Sequence, residues 1–395
     1  MSTSTLPRWS GDSTPRFVLD LAAQVSAAGV DVRVLAPAFP SAASAEQLDG
    51  VAIERFFYAL PAELQTLCYD GGMLPNLRAH PMRWGLVPGF MAAALLATRR
   101  GIRRWRPDIV HAHWVLPMGL VAVLATPRPI PVVVTVHGSD VLDLQGGVLD
   151  RLKAFVLSRA SLITCNGSIT EAALLRLGVP RAKIRRIPMG AAAAPGATHG
   201  LELPAERFKL LFAGRLFSGK GLGDLLAALA LLDESDRPLL LVAGTGPEEA
   251  RFREAARELG IAESVRFLGG LEHRRLLALM AAVDAVVVPT RSAELIEAQG
   301  LVVAEGMLAG TPVIATTGGG PEDHIRDGEN GLLVPPADPQ RLAAAITWVH
   351  QNPTLAATLS EAGRRYAEAH LSWSACAQAF AEVYRQVSPG TQGNN

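Results

Sequence analysis

Cysteine is scarce. Cys68, Cys165 and Cys376 are too few and too far apart in 395 residues for a disulfide framework or a zinc site, and an odd count of three fits a reducing compartment. Lysine is nearly as rare, with four against 33 arginines. No Asp-x-Asp occurs, which removes the usual carboxylate pair for holding a metal diphosphate, and without Gly-x-Ser-x-Gly there is no hydrolase nucleophile elbow. Charged residues make up 19% and apolar ones 49%, so the chain is globular and not disordered. No basic segment precedes an apolar one at the start, so no signal peptide is expected. Leu86 to Ala97 is a long apolar stretch, but it contains Pro88 and Gly89 and is too short to cross a bilayer. These absences point to a cytoplasmic protein, soluble or peripheral, with no nucleic-acid partner.

What is present is a βα alternation in two blocks, which predicts an α/β fold of two doubly wound, Rossmann-like domains facing a central cleft. Ala191–Thr198 lacks bulk and charge and reads as the linker between domains at 1–195 and 205–370. Charge divides with them: residues 1–195 hold 20 Lys+Arg against 13 Asp+Glu, a net +7, and the rest balances it at −7. Either the halves face different partners or their surfaces have drifted. In the first block Gly11-Asp12 makes a tight loop, and Ser13-Thr14-Pro15 supplies a cap and a first-turn proline for a helix ending at Gly29. Only a short polar stretch precedes that loop, so the first strand is expected to be short or missing, as a trimmed or misassigned start would leave it. Leu86 to Arg104 reads as a helix whose arginines, Arg99 to Arg106, either complement its C-terminal dipole or meet an anionic membrane.

The stretch carrying most chemistry is Val283 to Ile314, which reads strand, loop, helix, strand. The first amides of the predicted helix, around Gly300, Leu301 and Val302, have no intrahelical acceptor and favour an anion. Glu297 precedes the helix and Glu305 lies one turn inside, leaning back toward those amides. Two carboxylates beside a phosphate site suit a sugar nucleotide, since they accept from hydroxyls and repel phosphate. The bland alternative is a glutamate complementing the dipole and another solvated in a loop. Arg215 and Lys220 stand in a Gly-rich loop after a strand, placed to converge on a diphosphate. Gly244-x-Gly246 is half of a dinucleotide fingerprint and reads as a tight turn. His111-x-His113 with His137 and Asp140 suggests a metal site. Histidines alternating along one strand are expected on opposite faces, which argues against it. Trp84, Trp105, Trp114, Trp348 and Trp373 read as packing residues.

Taken together, these pieces resemble a retaining glycosyltransferase of family 4 (glycosyl transferases group 1), with the GT-B fold, over nearly the whole length. The most specific match is Glu297-Ala-Gln-Gly300-Leu-Val-Val-Ala-Glu305, two glutamates in the family's spacing, followed by Gly310-Thr-Pro-Val-Ile-Ala and Gly318-Gly-Gly-Pro-Glu322. Gly214-Arg-Leu-Phe-Ser-Gly-Lys220-Gly matches its diphosphate loop. Pro7-Arg-Trp-Ser-Gly-Asp12, His111-Ala-His-Trp114 and Thr135-Val-His-Gly-Ser-Asp140 are similar to a bacterial branch building cell-surface polysaccharides or glycolipids.

The resemblance implies a UDP-, GDP- or ADP-sugar donor, a sugar or lipid-linked acceptor, and neither metal nor cofactor. It implies that Arg215 and Lys220 neutralise the leaving diphosphate, aided by the amides of Gly300 to Val302, while Glu305 holds the ribose. Glu297 would contact the transferred sugar, Gly11 would let the first loop approach the donor, and His137 would face the reacting sugar. A last helix, about 373–388, would cross back to the first domain. The chain departs from the pattern at Ala298, where glycine is preferred, and after Gly190, where alanines replace valine and aspartate. An epimerase or phosphorylase of the same fold, or an idle partner subunit, are the competing readings.

Overall fold

The computed structural model describes residues 1–9, 11–12, 14–69, 72–142, 146–193, 203–204, 207–295 and 297–388. The chain divides into two compact units: Met1–Gly190 with Cys376 onward, and Ala191–Ala375. Residues 194–198 of the linker read from the sequence, and Ser13 of the anticipated helix cap, lie outside the described residues.

In the first unit the strands are β1 (Arg33–Pro37), β2 (Ala45–Leu48), β3 (Val51–Phe56), β4 (Val110–His113), β5 (Val132–Val136), β6 (Leu162–Cys165) and β7 (Ile184–Arg186). They pair in the orders β1-β3-β2 and β4-β5-β6-β7, with only β2 antiparallel to its neighbour. Residues 1–3 join the two sets: Ser2 bridges both Leu35 and Ala112, and the Leu35 amide donates to the Met1 carbonyl at 2.9 Å. The first strand is thus present but reduced to isolated bridges. The helix after it spans Phe17–Ala27 and has Arg16 at its N-cap without a side-chain capping bond. The anticipated start at Ser13-Thr14-Pro15 is therefore early by about two residues. β5 is buried throughout, as an all-valine and threonine run covered by helices on both faces should be.

The second unit holds β8 (Lys209–Ala213), β9 (Leu239–Ala243), β10 (Val265–Gly269), β11 (Ala285–Val288), β12 (Val313–Thr316) and β13 (Leu332–Val334). They form one parallel sheet in the order β10-β9-β8-β11-β12-β13. The order reverses at β8/β11, the point at which open α/β sheets place ligands beyond the strands' carboxyl ends. Two apolar clusters cover the two faces of this sheet, one built on Leu210, Phe212, Leu240 and Ile314 and the other on Leu211, Leu241, Val286 and Val313. Alternate residues of the same strands feed opposite clusters, as the pleat requires. Among the described residues, no helix is long and apolar enough to cross a membrane.

Candidate active site

In the second unit β8 runs into the loop Gly214–Gly221. A Cβ on Gly244, at the end of β9, would lie 1.8 Å from the Gly214 carbonyl oxygen, so only glycine lets these two strand-end loops touch. Gly244 has φ +142, and the Leu216 amide then donates to the Thr245 carbonyl at 3.0 Å. Arg215 lines an open pocket of about 710 Å³ together with residues 243–247, Gly270, Leu271 and Leu276. Lys220 closes a short 3-10 turn, Ser218–Lys220, and its Nζ is ion-paired with the Glu297 carboxylate. The two side chains are 22% and 21% exposed, partly screened but open to a ligand.

The loop bearing Glu297 is held at several points. The Gly320 amide donates to the Glu297 carbonyl at 2.6 Å, and Thr316 Oγ1 donates to the Thr290 carbonyl at 2.6 Å. Arg291 forks onto Asp224 through Nε at 2.7 Å and a terminal nitrogen at 2.6 Å, tying the loop to the helix Leu222–Ala230. Those bonds, and a further one to Glu294, raise the guanidinium pKa above its ordinary value. Ala298 is not among the residues with positive φ, so alanine fits this loop where the family pattern prefers glycine.

Gly300, at φ +76, is the N-cap of the helix Leu301–Leu308, which directs the Leu301 and Val302 amides out of its end. Glu305, on the next turn, is buried, and its carboxylate accepts a 2.7 Å hydrogen bond from His273 Nε2. The sequence reading missed His273, which opens the helix His273–Met280 after β10 and is brought to Glu305 only by the sheet order.

In the first unit His137 follows β5 directly, and its ring lies 4.8 Å from both Phe17 and Trp114. Phe17 opens the helix that follows the Gly11 loop, so this loop and His137 belong to one neighbourhood. Gly11 takes φ +82 in an exposed turn. Around it the Asp12 carboxylate accepts from Arg8 three times, from its amide at 2.8 Å, Nε at 2.9 Å and a terminal nitrogen at 2.7 Å. Burial opposes the charge on Asp12, but the Arg8 bonds outweigh it and hold the carboxyl well below the usual range.

Asp140 is buried, and its carboxylate accepts from the amides of Val115 at 2.9 Å and of His137 and Gly138 at 3.1 Å. Burial pushes its pKa up to about 6, with the backbone bonds pulling the other way. Its oxygens are engaged in shaping the loop that carries His137.

His111 and His113 contradict the expectation that they face apart. Two residues apart on a pleated strand means the same face, and their rings lie 4.4 Å from each other. Three of their four ring nitrogens are engaged in a buried network. His111 bonds Tyr384 Oη at 2.7 Å and Thr135 Oγ1 at 2.6 Å, while His113 Nδ1 meets His137 Nε2 at 3.0 Å. Among the described residues, no group of three or more His, Cys, Asp or Glu side chains has the arrangement to hold a metal ion. Trp84 is likewise not a packing residue, being 57% exposed.

Residues 14–193 match the family model described as Glycosyltransferase Family 4, and residues 199–366 match Glycosyl transferases group 1. The chain is 33% identical over 325 residues to glycogen synthase of Mycobacterium tuberculosis, covering 78% of this chain and 77% of that protein. It is 30% identical over 399 residues to D-inositol 3-phosphate glycosyltransferase of Thermomonospora curvata, covering 93% and 89%. Anabaena HepE, solved in complex with UDP, superposes with a TM-score of 0.71 at 20% identity over 98% of this chain and 99% of that one. The chain belongs to this glycosyltransferase family and has the GT-B fold. It is a glycosyltransferase.

Proposed function

We propose that the enzyme moves a sugar from a UDP-, GDP- or ADP-sugar to an acceptor hydroxyl, with retention of anomeric configuration and without a catalytic metal. The observation carrying this reading is the Lys220–Glu297 pair beside the Gly300-capped helix, which sets a cation, a hydroxyl acceptor and outward-pointing amides side by side. In the reaction the bond from the anomeric carbon to the diphosphate oxygen breaks, and the acceptor oxygen bonds to that carbon on the same face. The acceptor proton passes to a departing phosphate oxygen. Arg215, Lys220 and the Leu301 and Val302 amides stabilise the charge that the diphosphate gains. Glu305, held by His273, accepts from the ribose hydroxyls, Glu297 contacts the transferred sugar, and Gly11 admits the donor to the first loop. His137 orients the sugar. A covalent route would need a carboxylate beneath the anomeric carbon, and the first unit's candidates near the site loops, Asp12 and Asp140, are already engaged by Arg8 and by three backbone amides.

The acceptor in this reading is a sugar or lipid-linked sugar of the cell envelope, met by the basic first unit at the inner face of the membrane. Leu60, Met82 and Trp84 are exposed in that unit, and the exposed face of the helix Val87–Trp105 passes from Leu96 to Arg99, Arg100 and Arg103. Apolar side chains beside arginines suit a surface of anionic lipid.

NMR of the first-formed product tests the mechanism. The donor's anomeric configuration is expected, with turnover unchanged in excess EDTA. An inverted centre overturns the same-face mechanism, and loss of turnover in EDTA that a divalent ion restores overturns the metal-free one. Donor epimerised without an acceptor would support the epimerase instead.

A further inference from the structure

The contact between His113 and His137 fixes more than a distance. His113 Nδ1 and His137 Nε2 are 3.0 Å apart, with the rings stacked at 20°, and one of the two nitrogens must carry the hydrogen. Burial lowers both imidazoles well below their ordinary range, His137 to about 3, so each ring is neutral and holds one proton.

Two arrangements satisfy this. If His137 Nε2–H donates, the proton of His113 sits on its own Nε2, which is buried with no partner. If His113 Nδ1–H donates, that same Nε2 is a bare lone pair and the proton of His137 moves to Nδ1. An orphaned buried N–H is the costlier of the two faults, since donors left unpaired are the rarer in folded proteins. The second arrangement is therefore favoured. It also leaves His137 with a single uncommitted polar atom on its side chain, Nδ1, and puts a proton there.

We propose that His113 is a positioning residue: through Nδ1–H it fixes the tautomer of His137, so that His137 offers the sugar an N–H donor and never a lone pair. This rests on the proposed role of His137 at the reacting sugar. The strand register explains how two distant residues become partners. His113 pairs with Thr135, and His137 lies two residues further along, directly after the end of the neighbouring strand. His111, bonded at both nitrogens and with its ring centre 4.4 Å from that of His113 at an interplanar angle of 35°, limits the movement of the His113 ring.

The test has a spectroscopic arm that needs no turnover. In the full chain labelled with ¹⁵N-histidine, with His137 assigned by its loss in His137→Asn, ring-nitrogen NMR at pH 7.5 should show His137 protonated at Nδ1 and bare at Nε2. In His113→Phe that pattern should disappear, and turnover should fall about tenfold or more while the donor KM stays within about twofold. Asparagine can place an amide N–H where His113 Nδ1–H lies, so His113→Asn should recover most of the lost turnover. Should His113→Phe fail to fold, as judged by its melting curve, the native spectrum and the asparagine variant decide the matter. A native His137 protonated at Nε2 overturns the proposal, as does unchanged turnover in His113→Phe. A correct tautomer in a protein that transfers no sugar would instead overturn the proposed function and leave the tautomer assignment standing.

Discussion

Lys220 is one of only four lysines in a chain of 33 arginines, and it occupies the position where a compact charge that can change partners is useful. In the structure it is paired with Glu297, so a donor diphosphate has to draw the ammonium from a carboxylate onto phosphate oxygens. Stabilisation is then greatest when the diphosphate gains charge on leaving. Lys220→Ala is predicted to raise the barrier by roughly 2 to 4 kcal/mol, a loss of about a hundredfold to a thousandfold in turnover. Steady-state assays with the donor check this, and near-native turnover would remove Lys220 from the chemistry. At this scale Glu297 and Glu305 could be found from spacing alone, because their relation is local to one loop and one helical turn. Their partners in the structure could not. Lys220 is 77 positions from Glu297 and His273 is 32 from Glu305, so only the sheet order brings them together. The His111–His113 geometry was within reach of the sequence and was misjudged, since a period of two puts such residues on one face.

Elements read well where hydrophobic runs were continuous. The strand, helix and strand anticipated within Val283 to Ile314 appear as Ala285–Val288, Leu301–Leu308 and Val313–Thr316. β2, β3, β6, β7 and β13 were not anticipated: in β2 (Ala-Glu-Gln-Leu at an edge), β3 and β7 (Ile-Arg-Arg) charged and polar residues hide the pattern, while β6 and β13 are largely apolar runs of only four and three residues. The segment 57–86 was opaque for another reason. Its apolar residues split between core and surface, with Tyr58 and Leu67 buried and Leu60 and Met82 respectively 85% and 94% exposed. Arg83 ties this segment together, donating to the Thr66 carbonyl at 3.3 Å and to Asn76 Oδ1 at 2.6 Å. The exposed residues are thus presented by an ordered surface and not by a loose loop. Near anionic lipid each arginine contributes about 1 kcal/mol, so Arg99, Arg100 and Arg103 with these apolar side chains should give weak, salt-sensitive attachment. Flotation with vesicles is expected to recover the protein with anionic lipid at low salt and to lose it in Met82→Ser/Trp84→Ser. Equal recovery with neutral and anionic vesicles would reject the surface.

At the scale of the whole molecule the two units differ in what they bury, and pH should separate them. The first unit encloses His111, His113 and His137, all shifted down by burial, His137 from 6.5 to about 3. A histidine whose folded pKa lies below its unfolded one contributes stability above pH 6.5 and loses it as the pH falls toward the folded value. Each proton taken up only on unfolding removes about 1.4 kcal/mol per pH unit. Asp140 works in the opposite sense. Its folded value of about 6 exceeds the unfolded 3.8, so the fold binds that proton first and gains between those limits as the pH falls. One aspartate does not offset three histidines, even if the touching His113–His137 pair takes up a single proton. The first unit should therefore weaken between pH 6.5 and 5, with a melting temperature lowered by several degrees, while no comparable cluster of touching histidine rings is found among the described residues of the second. Calorimetry at pH 7.5, 6 and 5 is expected to show one transition moving down ahead of the other. His111→Gln/His113→Gln, having no imidazole to charge at these positions, should flatten that dependence even if it lowers the starting temperature. A first transition independent of pH in the native protein would mean that these imidazoles are not held neutral, and with them would go the shared proton on which the tautomer of His137 depends.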